Sequence, residues 1–295
     1  MAAPETSAEW LDLAQRAAFA SHQLIGWIYW DPRAAARHAD LGVKDGLGHY
    51  IANRAAPFAA AGVDAVTAAF GSIDRFLIHF SLDIAAGATT WDKVYGARNA
   101  TVAEGLRELA PEICDGLSSL SSELWRTVDA MPASGRVLFA AHRAWPRADD
   151  DALVSTWLAI NALREWRGDT HWGLLSAHEI DGVEAGLLHD AWMGYPKEWI
   201  PRSRGANDDQ ISAALAALST RGWVTDGVIN RAGIEFRQWL EEETNRLCAR
   251  CWQTFGHDNT LRFLSLVEPV GQRFVDHIDA TAGTNWMPAA RPRRI

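Results

Sequence analysis

A chain of 295 residues is about as long as two ordinary domains, and 48% hydrophobic content is enough to fill two packed cores, which excludes a disordered chain. Lysine and arginine number 28 against 37 aspartates and glutamates, and the net charge of −9 opposes a polyanionic partner, because sequence-independent affinity for nucleic acid comes from neutralising phosphates. The 15 tryptophans are the compositional oddity, and so many in one chain point to an aromatic-lined cavity as well as to a core.

The opening stretch, MAAPETSAEWLDLAQ, carries Glu5, Glu9 and Asp12 where an export signal needs positive charge followed by an apolar run. No window reaches the ~18 uninterrupted apolar residues of a membrane span, so the expectation is a cytoplasmic protein without a membrane partner. Cys114, Cys248 and Cys251 are too few, and odd in number, for a disulfide framework.

In chain order, the first helical pattern contains AAFASH (residues 17–22) and leads into the aromatic run Trp27, Tyr29, Trp30. GHYIANRAAPFAAAGVDAV (48–66) follows with His49, Tyr50 and Arg54, and then ARNATVAEGLREL (97–109). MPASG (131–135) breaks the helical pattern and marks a boundary. Beyond it the order returns. VLFAAH (137–142) sets Phe139 and His142 against Phe19 and His22 at an offset of 120, with Trp145 following. THWGLLSAHEIDGVEA (170–185) sets His171 against His49 and GVEA against GVDA, and QISAALAAL (210–218) answers TVAEGLREL (101–109) more weakly. Collinear blocks are the mark of duplication, so the chain reads as two diverged copies of one helical domain, 1–132 and 133–295. Such copies pack about a pseudo-twofold axis, giving a monomer that acts as a pseudo-dimer, or a homodimer.

The second half carries the clearer local signals. DALVSTWLAINALREW (151–166) repeats Leu153, Trp157, Ile160 and Leu163 at helical spacing, and the pattern runs out at Gly168, which places Arg164, Arg167 and Asp169 at a predicted helix end. DDQISAALAALSTRGW (208–223) opens on acidic residues and stops at Gly222, as a capped helix does. WVTDGVIN (223–230) sets Asp226-Gly227 between Val, Thr and Ile, a strong hairpin signal. RAGIEFRQWLEEETNRLCARCW (231–252) resumes the helix with Ile234, Leu240 and Leu247 along one side. The expected fold is mainly α: two winged-helix-like domains, with a β-hairpin wing in the second only.

The stretch LSTRGWVTDGVINRAG (218–233) resembles MarR-type winged helices, whose wing commonly reads LxxRGLVxxxxxLTxxG. Over nearly its whole length the chain looks like a family of actinobacterial tandem helix-turn-helix proteins. HYIANRAAPF (49–58), LREWRGDTH (163–171) and the wing carry that likeness, with Trp166 standing where members of the family have His. The resemblance implies the fold and leaves ligand and reaction open.

In a winged helix the second helix of the helix-turn-helix enters the major groove. Here that helix would begin with Asp208 and Asp209, and only Arg202, Arg204, Arg221 and Arg231 could form a basic rim, so DNA is the second candidate partner. His22, His49, His142 and His171 form two repeat-related pairs, each accompanied by aromatics: Trp27 and Trp30, Tyr50, Trp145, and Trp172. They bridge helices, hold a metal or haem, or hydrogen-bond a ligand in a pocket, where His49 and His171 are the candidates for acid–base work. Arg164 and Arg167 form either a helix-end ion-pair cluster with Asp169 or, with Arg54, a clamp for carboxylate or phosphate. Cys248-x-x-Cys251 with His257 lacks the second half of a zinc or thioredoxin motif. No GxSxG, HExxH, P-loop or dinucleotide fingerprint is present.

The preferred expectation is therefore a protein that binds a small organic ligand, aromatic or carboxylate-bearing, between the repeats, with catalysis an open question. A ligand-responsive DNA-binding regulator is the alternative, and a haem or metal protein the third reading.

Overall fold

A computed structural model of the chain describes residues 7–43 and 47–294; Glu5, used above in reading the N-terminus, lies outside them. The first half contains α1 (Ala8–Gly26), α2 (Pro32–Asp40), α3 (Leu47–Ala55), α4 (Val63–Phe70), α5 (Arg75–Ala88), α6 (Trp91–Leu109), α7 (Cys114–Ser118) and α8 (Ser121–Ala130). After the break at 131–135 come α9 (Val137–Ala144), α10 (Ala152–Ala177), α11 (Gly182–Met193), α12 (Trp199–Ser203), α13 (Asp208–Thr220), β1 (Val224–Thr225), β2 (Val228–Ile229), α14 (Arg231–Phe255) and α15 (His257–Thr281). The protein is mainly helical, with one small antiparallel sheet among the described residues. No described helix is long and apolar enough to cross a membrane.

Helix α10 is the axis of the molecule. Every residue from Leu153 to Leu163 is buried, which is the pattern of a helix surrounded by others rather than lying on a surface. Its N-terminus is capped by Asp151, whose carboxylate accepts from the backbone of Leu153 and Val154. The helix does not end at Gly168, as the apolar pattern suggests, but continues to Ala177. Contacts beyond the glycine, such as His171 with Thr244 on α14, outweigh the ~1 kcal/mol by which glycine disfavours a helix interior.

Helices α1, α14 and α15 pack on one another, α1 and α14 also pack on α10, and α6 to α9 pack on the remaining sides of α10. The largest apolar core therefore runs from Leu13 to Ala290 and takes side chains from both sides of residue 132. A second cluster, around Ile51, Phe70, Ile78 and Leu138, joins α3, α4 and α5 to the start of α9.

A third cluster, with Leu175, Leu187, Leu188, Ile211, Leu218 and Leu240, holds the helix-turn-helix unit and its wing. Local chemistry explains the unit's shape. Asp181 with Glu184, and Asn207 with Gln210, form reciprocal capping boxes at the starts of α11 and α13. Asp226 and Gly227 both take positive φ (52° and 72°), the geometry that closes a two-residue hairpin, and the register pairs Val224 with Ile229 and Thr225 with Val228. Trp223 stacks on Phe236 with centroids 4.3 Å apart, anchoring the wing to α14.

Of the predicted stripe Ile234, Leu240 and Leu247, only Leu240 is buried on α14, while Ile234 and Leu247 are half-buried. The buried side also includes Gly233, Arg237, Thr244 and Cys248. An arginine thus stands in the middle of the face that α14 turns to α10 and α11.

Candidate functional site

Between α1, α10, α11 and α14 lies a cavity of about 720 Å³, within the size range of small-molecule sites. The turn at 70–73 and the segment 287–293 complete its wall, and α3 contributes Tyr50 and Arg54. Eight arginines line it against four glutamates, in a protein whose overall charge is −9.

The arginines are organised around two shared carboxylates. Glu165, fully buried on α10, accepts from Arg54 Nε and Nη2 at 2.9 and 2.7 Å and from Arg164 Nη1 at 2.7 Å. Burial alone would raise its pKa, but the two guanidinium groups hold it well below the usual carboxylate range. Glu241 on α14 repeats the arrangement with Arg167 and Arg237, and its pKa is likewise held down against burial. Each cluster has two cations for one anion. Arg204, half-buried in the wall, has no hydrogen bond or ion pair through its side chain to any described residue.

Three histidines in the wall are neutral. Thr244 Oγ1 gives its only proton to Leu240 O at 2.7 Å, so His171 Nδ1 must donate to that oxygen at 3.0 Å, leaving Nε2 as an acceptor. His22 Nδ1 accepts from Arg164 Nε at 3.3 Å, and His189 Nδ1 accepts from Arg237 Nη2 at 3.0 Å, so in both rings the hydrogen sits on Nε2. Burial, reinforced by neighbouring arginines, pushes His171 down to about 3 and lowers His22 and His189 well below the ordinary value. Rings held in that range make hydrogen bonds near neutral pH but carry no proton there to give away as acids.

Of the residues singled out from the sequence, His22, Arg54, Arg164, Arg167, His171 and Trp172 line this cavity, and so does Arg204, first considered as part of a DNA-facing rim. Trp27, Trp30, His49, His142 and Trp145 do not. Trp27 is fully buried against Phe274, with Nε1 donating to Leu24 O at 3.0 Å. Trp30 lies between Tyr50 and Trp286, and Trp145 packs on Tyr95. His49 Nε2 donates to Tyr29 O at 2.7 Å, and His142 Nε2 to Arg54 O at 3.2 Å, so both tie one helix to a neighbouring segment. Each of the two pairs matched in the sequence, His22 with His142 and His49 with His171, therefore has one ring in the wall and one in the packing.

Asp169 does not join Arg164 and Arg167. With α10 continuous through Gly168, positions 164, 167 and 171 share a face while Asp169 points elsewhere and accepts from Phe139 N at 2.9 Å. Cys248 and Cys251 are buried in α14, where burial pushes the Cys248 thiol up to about 11, and His257 pairs with Glu9 on the far side of a helix break. No group of three or more His, Cys, Asp or Glu placed to hold a metal occurs among the described residues.

Sequence reasoning missed Arg237, Glu241, His189, Glu165, Phe70 and Trp192 as wall residues. One signal was available: Arg237 and Glu241, four apart, fall in register with Leu240, Thr244 and Cys248, so a charged pair recurs on an otherwise core-facing stripe.

The surface that would read DNA is poor in free cations. Along α13 the exposed residues are Asp208, Asp209, Gln210, Ser212, Ala213, Ala216, Ala217, Ser219 and Thr220. Arg202 pairs with Glu198 and Asp208, Arg231 with Glu235, and Arg221 donates to Glu179 O and lies over Trp223.

The family model of helix-turn-helix proteins matches residues 14–281. The chain belongs to the helix-turn-helix family. No curated protein and no solved structure matches it. The match covers most of α1 and the whole of α15 as well as the winged unit. The cavity thus lies almost wholly inside the family region, and only the 287–293 segment of its wall falls outside.

Proposed function

We propose that this helix-turn-helix protein binds a small anionic organic ligand in the arginine-lined cavity, and that its winged unit serves as one wall of that site. The supporting observation is the excess of guanidinium groups over carboxylates in a cavity of ligand size, beside Phe19, Phe70, Trp172 and Trp192, in a chain that is acidic overall. On this reading the blocks recurring at an offset of about 120 residues are traces of duplication, and the ligand lies between the two copies.

The test is a titration of the full chain with aromatic carboxylates, aromatic phosphates and their neutral analogues, read by tryptophan fluorescence and by thermal unfolding. A ligand of this site quenches fluorescence saturably and, at a hundred times its Kd, stabilises the fold by about 2.7 kcal/mol. If no aromatic carboxylate or phosphate does either, or if the neutral analogues bind as tightly as both, the reading fails.

Family membership is compatible with a second reading, a DNA-binding regulator whose DNA contact the same ligand controls, and the likeness of residues 218–233 to a MarR-type wing is what would make it MarR-like. Its prediction is a nanomolar complex with genomic DNA fragments whose affinity falls steeply across a salt series. The acidic face of α13 instead leads us to expect only non-specific affinity, ~10⁻⁴–10⁻⁶ M.

A further inference from the structure

Three buried side-chain polar atoms in the cavity wall have no hydrogen-bond partner, and all three are donors: Arg167 Nε, Arg237 Nη1 and the N–H of His189 Nε2. Arg237 is only 4% exposed, so its orphan nitrogen has no access to bulk water. An orphaned buried donor costs about 1–3 kcal/mol, and more when the group is charged, so three of one polarity in one wall call for an acceptor. The three atoms belong to one neighbourhood. Arg237 hydrogen-bonds His189, and Arg237 and Arg167 share Glu241. Arg204 lies near enough to lower the pKa of His189, and Asp190, next in the chain, is turned away to accept from Ile200 N with both oxygens.

We propose that this corner of the cavity is a phosphoryl subsite: Arg167, Arg204, Arg237 and His189 take the dianionic phosphate-monoester end of an organic ligand whose apolar part lies along Phe70 and Trp172. The inference rests on the reading of the cavity as a ligand site. Charge and donor number select the class. Three guanidinium groups against Glu241 and a partly ionised Asp190 leave between one and two positive charges, which a phosphate monoester, at about −1.5 to −2, neutralises more fully than a carboxylate's single charge. A carboxylate also offers only two oxygens, whereas three orphan donors and the free fork of Arg204 suit the three terminal oxygens of a phosphoryl group. The Arg54–Glu165–Arg164 cluster is satisfied within itself and is not part of the subsite.

The experiment compares phenyl phosphate, inorganic phosphate, benzoate and benzyl alcohol on the full chain at constant ionic strength, by calorimetry or tryptophan fluorescence. Phenyl phosphate is expected to bind at least about tenfold tighter than benzoate (~1.4 kcal/mol), and inorganic phosphate to compete with it. Arg204→Gln is the decisive variant, because the Arg204 side chain makes no ion pair or hydrogen bond with a described residue that its removal would break, so the fold is kept. It should weaken phenyl phosphate about tenfold or more and leave benzyl alcohol unchanged. Arg167→Gln should do the same. If benzoate binds and phenyl phosphate binds no better, or if Arg204→Gln leaves phenyl phosphate affinity intact, the phosphoryl subsite is overturned and the anionic-ligand reading stands; if benzyl alcohol binds as tightly as both anions, both fall. If none of the four probes binds, both fall.

Discussion

Asp169 and Asp190 carry carboxyls that burial lifts to about 7, each opposed by backbone N–H donation, to Asp169 from Phe139 and to Asp190 from Ile200. Asp169 is 7% exposed and has no cation paired with it. The folded chain therefore keeps a proton on Asp169 that the unfolded chain loses near pH 4. Its contribution to stability is complete below that value and disappears as the pH rises through 7. The buried histidines act in the opposite sense. His142, lowered to about 4, and His171, to about 3, give stability that is present above the unfolded value of 6.5 and lost as the pH falls. Asp169→Asn isolates the first effect, since an amide oxygen still accepts from Phe139 N. Urea unfolding should show little change at pH 3 and a gain at pH 8 that exceeds the gain at pH 5 by roughly 2–3 kcal/mol. An equal effect at pH 5 and pH 8 would show that Asp169 is not protonated in the fold.

At the scale of elements, the junction between the winged unit and the first half depends on two glycines. Gly71, at φ +69°, sits under the Trp172 ring, where a Cβ would come within 2.4 Å. Gly182 opens α11 against the same turn, where a Cβ would lie 2.2 Å from Gly71 O. Backbone on the opposing side cannot yield as a side-chain tip would. Gly182→Ala should therefore destabilise the protein by about 1–3 kcal/mol and, because Ser72 and Ile73 belong to the cavity wall, weaken ligand binding as well. Gly173, exposed within α10 with nothing near its Cβ position, is the control: Gly173→Ala should stabilise by roughly 0.5–1 kcal/mol. Parallel thermal melts read both, and a loss at position 173 as large as that at 182 would show that helix geometry rather than the junction is responsible.

For the whole molecule, the shared core has a consequence for fragments. Helix α10 is buried by α1, α6, α7 and α8 from the first half as much as by α9 and α14 from the second. Residues 133–295 expressed alone would expose Trp157, Leu158 and Leu163 together with the face of α15 that α1 covers. We expect that fragment to be helical by circular dichroism yet to bind a hydrophobic dye and melt without a sharp transition, and we expect residues 1–132 supplied in trans to restore cooperativity. A two-state melt of the isolated fragment would show that the second half is energetically self-sufficient.

What the amino-acid sequence determined by itself is the mainly helical class and the winged unit. The Asp226-Gly227 turn, the stop at Gly222 and the acidic opening of α13 act over a few residues, and their conformations follow from local sterics and capping whatever surrounds them. Tertiary structure alone decided the site. Whether His171 or His142 faces the cavity, whether Trp27 fills core or wall, and whether Gly168 ends a helix depend on neighbours 70 to 250 positions away, such as Thr244, Arg54 and Phe274. The same holds for charge. A composition of −9 says nothing of a cavity with twice as many arginines as glutamates, because burial pairs each of Glu165 and Glu241 with two guanidinium groups drawn from separate helices or separate turns. Local interactions can be read along a chain, while the balance of buried charges exists only once the chain has folded.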